Sequence, residues 1–377
     1  MLTYPVACAA AVFSLAAGYA IPNHDGFPSP DDQQLLDIQT EADGKLPNAP
    51  PPGKLSVAGI TNFQLVAFNE QFEVAFFTSL IENVTNRDGE FSAEAANRDE
   101  AEILQILKTI KAQEELHAIT AINQLKQFNA SLIPQPCNYK FPTTSLDDAL
   151  NLASTFTSVV LGTLQDAQQS FAKNGDDAVV RVVSSVVGQE GEQNGFLRFM
   201  LHRRPSSKPF LTTSIAPYAY SALQAFIVSC PFKVEDIPIP IFPALNVLTN
   251  AEARDMTLSY SADLKSYIAG LPPSPMSPMF ITYIVGQQLP ISVRIRNQRL
   301  DGTTLIFDAD FPFTANVMQG LTIAALTNSS DFKEVGVMAA STLAAPGLIQ
   351  VNDLLRPGKI VSGGFGGANR TRTEQEP

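Results

Sequence analysis

The sequence is poor in histidine, cysteine and positive charge, and each shortage excludes a class of function. It has three histidines, and neither His24 nor His202 lies among residues that would form a catalytic triad, so we expect no hydrolase of that kind. Its 25 Lys and Arg residues against 37 Asp and Glu give a net charge of −12. This charge disfavours nucleic acids and anionic membranes as partners. No stretch is apolar over the roughly 20 residues that a membrane helix needs, so we expect no transmembrane segment.

Residues 1–20 have the pattern of a secretory signal peptide. A short apolar run, Val6 to Ala17, precedes Gly18-Tyr19-Ala20, which offers a small-x-small cleavage site. The segment departs from the usual pattern because no Lys or Arg precedes the apolar run. Despite this departure, the apolar run and the cleavage site predict a secreted protein. Its partners would be extracellular components such as the cell wall.

The few cysteines agree with secretion. Cys8 lies in the signal segment, which leaves Cys137 and Cys230 in the mature chain. In an oxidising compartment these two allow one intramolecular disulfide, and a pair of buried free thiols is the alternative. Triplets that fit N-glycosylation of a secreted chain begin at Asn83, Asn129, Asn328 and Asn369.

The composition divides the rest of the chain into a leader, a helical region and a β-rich region. Residues 21–55 are rich in Pro, Asp and Gly and predict an extended or disordered leader. Residues 56–232 have helical periodicity. Residues 233–360 contain many prolines and short runs such as ITYIVG and LPISVRIR, which predict a smaller β-rich domain, for example a sandwich. The polar, Gly-rich tail 361–377 is expected to be disordered.

Four long amphipathic helices and a short fifth helix are predicted in the helical region. Apolar residues recur at intervals of three and four along each of them. A capping box at Thr144 or Ser145 predicts the start of the third helix, and Asn174-Gly175 predicts its end. In chain order, the predicted helices cover about 56–84, 103–128, 144–174, 176–204 and 217–228.

Each long helix has a polar residue in the middle of its apolar face. In the second helix these residues are Glu114 and His117, and burying them is costly unless something pairs with them. Glu-x-x-His on an inward helix face is the ligand pair of four-helix di-iron carboxylate proteins, in which two other helices supply one Glu each. The other helices place these residues in the core: Glu70 and Glu73, then Thr157, then Glu190 and Gln193.

Four runs in this order resemble the ferritin-like family that includes desiccation-related proteins. They are NFQLVAFNEQFEVAFF, QEELHAITAINQL, FTSVVLGTLQDAQQSF and VVGQEGEQNGFLRFML. The segments around the two cysteines are similar to its fungal branch, the secreted late-sexual-development and nutritional-stress proteins. The resemblance covers about 56–232 and implies a mainly α fold, a ferritin-like four-helix bundle with a short fifth helix, ahead of the smaller β-rich domain.

The resemblance also implies a degenerate metal site. Thr157 stands where a bridging Glu is expected, and Gln193 stands where the second His is expected. Without the bridging Glu, one iron or manganese ion is a better expectation than a pair of ions. The candidate metal residues are Glu70 or Glu73, Glu114, His117, Glu190 and, in the degenerate position, Gln193.

Two functions remain open at this point. The missing ligands favour a non-catalytic secreted protein with a role in fungal development or stress response. In that case the buried acids would be a relic, held by hydrogen bonds from Thr157, Gln193 and His117 and by a water. The retained Glu114 and His117 favour an iron- or manganese-dependent oxidoreductase that handles peroxide or oxidises iron.

Overall fold

The structure is a computed structural model that describes residues 18–50, 52–87, 89–92, 99–265 and 278–352. Most of the predicted signal segment, the glycosylation triplet at Asn369 and the predicted tail 361–377 lie outside the described residues.

The predicted four-helix bundle is present and is preceded by a further helix. The helices of this region are α1 (Asp32–Glu41), α2 (Val57–Asn86), α3 (Glu100–Gln127), α4 (Leu146–Lys173), α5 (Val180–Met200) and α6 (Ala216–Leu223). Within the bundle α2 packs along α3, and α4 packs along α5. The side chains of Ser56, Asp99 and Ser145 accept hydrogen bonds from backbone N–H groups at the starts of α2, α3 and α4. These caps stabilise helix starts close to the predicted positions. None of the described helices is long and apolar enough to cross a membrane.

Aromatic packing and the predicted disulfide stabilise one end of the bundle. The Phe72 ring lies on α2 and is fully buried, with its centroid 5.3 Å from that of Phe156 and 5.7 Å from that of Tyr139. Each such edge-to-face contact contributes about 0.5–1.5 kcal/mol beyond the buried area. Cys137 and Cys230 form the disulfide. Next to it, two short strands that we did not predict, β1 (Asn138–Tyr139) and β2 (Ile227–Ser229), pair in antiparallel fashion.

The prediction that residues 21–55 are extended or disordered is wrong for residues 32–41, which form a helix. Helix α1 begins after Asp31, which forms a capping box with Gln34. Phe27 and Ile38 are buried against apolar side chains of α3. The Pro- and Asp-rich composition did not indicate this helix. A few apolar residues are enough to dock the segment on a surface that other helices provide.

The C-terminal region contains two antiparallel four-stranded sheets, which confirms that it is β-rich. Its strands are β3 (Leu245–Val247), β4 (Met256–Asp263), β5 (Phe280–Val285), β6 (Ile291–Arg294), β7 (Arg296–Asp301), β8 (Thr304–Phe311), β9 (Gly320–Thr327) and β10 (Thr342–Val351). A one-turn helix, α7 (Phe313–Asn316), follows β8. One sheet has the order β3-β4-β8-β7 and the other β10-β9-β5-β6. Side chains from both sheets, among them Tyr260 and Tyr283, share one apolar core, so the sheets form a sandwich.

The run LPISVRIR is not the single strand that its sequence predicts. It forms β6 in one sheet and the start of β7 in the other, and the chain crosses between the sheets at the buried Ile295.

The sandwich packs directly against the bundle. All eight residues of β9 are buried, because one face points into the sandwich and the other, with Leu321 and Ile323, packs against α4 and α6. The approach of α4 to the segment before α6 is close. A Cβ atom on Gly162 would lie 2.5 Å from the carbonyl oxygen of Thr212 and 2.8 Å from the backbone nitrogen of Ser214.

Candidate metal centre

Three helices of the bundle bring a group of possible metal ligands together. Glu70 comes from α2, Glu114 and His117 come from α3, and Glu190 comes from α5. One ligand atom from each of these residues lies within 4.8 Å of the others. The Glu-x-x-His spacing places Glu114 and His117 on the same inward face because residues three apart in a helix are neighbours.

The imidazole of His117 lies among the carboxyl groups. Its Nδ1 atom is 3.0 Å from Oε2 of Glu114, 3.6 Å from Oε2 of Glu70 and 4.0 Å from Oε1 of Glu190. The first distance is a hydrogen bond. The other two distances are too long for hydrogen bonds. They show that the imidazole ring faces two further carboxyl groups.

Most of the carboxyl oxygens in this group lack a hydrogen-bond donor. Within the described parts of the chain, neither oxygen of Glu70 or Glu190 has a hydrogen-bond partner, and neither has Oε1 of Glu114. All three side chains are fully buried. A buried polar atom without a partner costs about 1–3 kcal/mol, and more when it is charged. Buried carboxylate oxygens and one imidazole form a donor set that suits iron or manganese, so the residues fit such an ion.

Burial and mutual repulsion raise the pKa values of Glu70 and Glu190 in the metal-free protein. Burial raises the pKa of Glu70 to about 7, although His117 acts in the opposite direction. Burial, followed by the nearby Glu73 and Glu114 carboxyls, holds the pKa of Glu190 well above its usual 4.5. Burial lowers the pKa of His117, but Glu114 and Glu70 outweigh it, so that pKa lies well above 6.5. A bound cation would favour the ionised carboxylates.

The sequence left open whether Glu70 or Glu73 belongs to the site, and the structure places Glu70 in the group. Glu73 is fully buried one turn further along α2, and its Oε1 accepts a hydrogen bond of 3.0 Å from Asn69. Burial, followed by the carboxyls of Glu114 and Glu70, raises the pKa of Glu73 well above 4.5. Glu73 is therefore a buried neighbour of the group and not one of its converging ligand residues.

Thr157 and Gln193 do not take part in the group as hydrogen-bond donors to the acids. The Thr157 hydroxyl is buried and has no hydrogen-bond partner among the described residues. Gln193 donates from Nε2 to Oε1 of Gln113 at 3.2 Å, and Gln189 donates to the same oxygen at 2.7 Å. These amides link α5 to α3. Gln113 and Gln189 were missed, although each directly precedes a predicted ligand in the sequence.

A cavity of about 300 Å³ lies beside the group. Glu70 and His117 line it, together with apolar side chains of the four bundle helices. The leader also lines it, through Ala42, Gly44, Lys45, Leu46 and Pro47. Gln113 also joins this segment to α3, because its Nε2 donates to the carbonyl oxygen of Ala42 at 3.4 Å.

The remaining predicted residues lie away from the group. His24 and His202 are exposed. Of the predicted glycosylation sites, Asn129 and Asn328 are exposed, and Asn83 is half-buried within α2. Their glycosylation stays a prediction.

These features define a four-helix bundle with a buried carboxylate and histidine group that could hold a metal ion. In agreement, residues 56–203 match the family model of the ferritin-like domain. This part of the chain is therefore a ferritin-like domain, followed by the antiparallel sandwich. A search of curated proteins found no match.

Proposed function

We propose that this protein binds a single manganese or iron ion through Glu70, Glu114, His117 and Glu190. The observation that carries the proposal is the convergence of these ligand atoms within 4.8 Å while five carboxyl oxygens have no donor among the described residues. Bringing three acids together in a core is unfavourable, and a cation offsets that cost through its charge and its bonds to the orphaned oxygens.

One ion is favoured over two because the group lacks the ligands for a second. Gln193 is turned towards Gln113, and Thr157 offers a neutral hydroxyl where a bridging carboxylate would be needed. When bound, a manganese or iron ion supplies Lewis-acid or one-electron redox chemistry. The chain's own residues would hold it, with His117 contributing Nδ1, the imidazole nitrogen that faces the three carboxyl groups.

A relic site in which Thr157 and Gln193 hold the acids has less support. It requires Thr157 and Gln193 to donate to the acids, and neither of them does so within the described structure. Only the bond from His117 to Glu114 remains of that network.

We further propose that the protein is secreted and acts in fungal development or stress response as a non-catalytic metal-binding protein. The resemblance of the four helical runs, the disulfide between Cys137 and Cys230 and the apolar N-terminal run support this proposal. An oxidoreductase that handles peroxide or oxidises iron is the second candidate. The cavity that reaches Glu70 and His117 favours it, because a small reactant could approach the group from outside.

Metal analysis of the purified protein tests the first proposal. After reconstitution with Mn(II) or Fe(II) and removal of free metal, we expect about one ion per chain. The Glu114→Ala/His117→Ala double variant should lose the ion, and Glu192→Gln, an exposed change on α5, should keep it. Absence of bound metal in the reconstituted wild-type protein would contradict the proposal. Consumption of peroxide or oxidation of added Fe(II) by the metal-reconstituted protein would show that it is an oxidoreductase.

A further inference from the structure

The cavity beside the metal group has the shape and lining of a ligand site. Its volume of about 300 Å³ corresponds to roughly ten water molecules and lies at the lower end of the range for small-molecule pockets. The walls are mainly apolar, and they include Phe63, Val66, Leu116, Leu164, Val183 and Val186.

Glu70 and His117 are the polar side chains of the metal group that reach the cavity, and the other polar side chains in its lining are Lys45, Gln113, Thr120, Ser185 and Gln189. Glu70 is fully buried at the inner end of the cavity, and neither of its oxygens has a donor among the described residues. His117 lies beside it and is hydrogen-bonded to Glu114. At the outer end, the exposed Lys45 lies next to solvent. A ligand would therefore have its apolar body in the middle of the cavity and one polar end at Glu70.

The chemistry of the inner end selects the kind of polar group. The free oxygens of Glu70 need a donor, so the end of the ligand must carry an O–H or N–H group. A carboxylate end has no O–H or N–H group to donate to these oxygens. An ammonium end would have to be buried as a charge in a cavity whose walls are mainly apolar, which costs more than burying a neutral hydroxyl group. A hydroxyl group meets the requirement at the lowest cost.

We propose that this cavity binds an uncharged amphipathic molecule, an apolar chain or ring that ends in a hydroxyl group, with the hydroxyl donating to Glu70. This inference goes beyond the proposed metal site and does not require the ion. The same cavity would receive the ligand in the metal-free protein, where the walls and the Glu70 oxygens are as described.

Isothermal titration of the metal-free, full-length protein with octan-1-ol tests the proposal. We expect saturable binding of one molecule per chain with a negative heat-capacity change, the signature of apolar burial. Ethanol has the same hydroxyl and too little apolar surface, so it should give no saturable heat over the same range. Octanoate and octylamine should bind at least about tenfold more weakly than octan-1-ol, a difference in affinity that titration resolves readily.

Matched variants locate the binding. Val186→Phe fills the cavity and should weaken octan-1-ol binding by about tenfold or more. Val187→Phe, at a half-buried neighbour that does not line the cavity, should leave the affinity unchanged. If Val186→Phe does not fold by circular dichroism, Ser185→Phe replaces it, because Ser185 lines the cavity from an exposed position. Glu70→Leu should weaken octan-1-ol binding while leaving the walls intact.

The outcomes separate this inference from the metal site. Equal affinity in the wild type and in the cavity-filling variant overturns the inference, and so does preferred binding of octanoate or octylamine. Absence of saturable octan-1-ol binding overturns it as well. None of these outcomes bears on metal stoichiometry, which is measured on a separate sample. Binding of the alcohol by protein that takes up no metal would support the cavity and reject only the metal proposal.

Discussion

The buried acids should make the metal-free protein less stable as the pH rises, and Glu70→Gln should remove much of that loss. Burial raises the pKa of Glu70 from 4.5 to about 7. A carboxyl group whose pKa is raised by folding binds its proton more tightly in the folded than in the unfolded state. Its contribution to stability is therefore complete below about pH 4.5 and is lost as the pH rises through about 7.

The magnitude follows from the same change in proton affinity. At about 1.4 kcal/mol for each tenfold change, Glu70 accounts for about 3 kcal/mol of unfolding free energy between these pH values. Glu73 and Glu190 have pKa values raised in the same direction and add to the slope. At about pH 8, Glu70→Gln should therefore stabilise the metal-free protein by up to about 3 kcal/mol, and it should change little in acid.

Urea unfolding followed by far-UV circular dichroism, with a chelator present, measures this effect on the helical bundle. Glu192→Gln changes an exposed carboxyl group on α5 and should stay within about 0.5 kcal/mol of the wild type at both pH values. With saturating Mn(II), the unfolding free energy of the wild type should rise with pH instead of falling. The reason is that the ion binds the ionised carboxylates of the folded state. The reasoning fails if metal-free wild-type protein gains stability towards neutral pH, or if Glu70→Gln is the less stable protein at about pH 8.

Other predictions concern the parts that surround the site. Replacing both Cys137 and Cys230 by Ser opens a link across 93 residues and should lower the unfolding free energy by about 4–5 kcal/mol in urea titrations; an unchanged midpoint would contradict this. Gly162→Ala places its Cβ against backbone atoms and should cost about 1–3 kcal/mol, whereas Gly188→Ala on α5 meets nothing and should be neutral or stabilising. Lys111→Met leaves the carboxyl groups of Asp25 and Glu115 without their shared cation, so limited proteolysis should cut the leader faster than in the wild type.

The helices and part of the site could be predicted because both depend on spacing within one element. Glu114 and His117 are three residues apart on a clear apolar stripe, so any helix there must place them on the same inward face. The choice between Glu70 and Glu73 could not be made in this way. Helix α2 is surrounded by other elements and both residues are fully buried, so its pattern does not distinguish the side that faces α3 and α5.

Other features escaped prediction because they depend on contacts between distant segments. The leader has few apolar residues, and its helix is stabilised by docking on α3 and by the Lys111 ion pairs. All residues of strand β7 are exposed, and a polar edge strand carries no alternating apolar signal. The cavity is a space between several helices, so its presence depends on how closely those helices pack against one another.

The amides on α3 and α5 explain how one metal ion and an open cavity can share the same bundle. In a two-metal site the position of Gln193 would hold a second imidazole, directed at a second cation. Here Gln193 and Gln189 donate to Gln113, which forms a neutral link between the two helices on one side of the acid group. Gln113 and Gln189 also line the cavity that reaches Glu70 and His117. Because the amides need no cation, they hold the helices in place whether or not an ion is bound. We therefore expect the cavity to keep its form when the metal is removed.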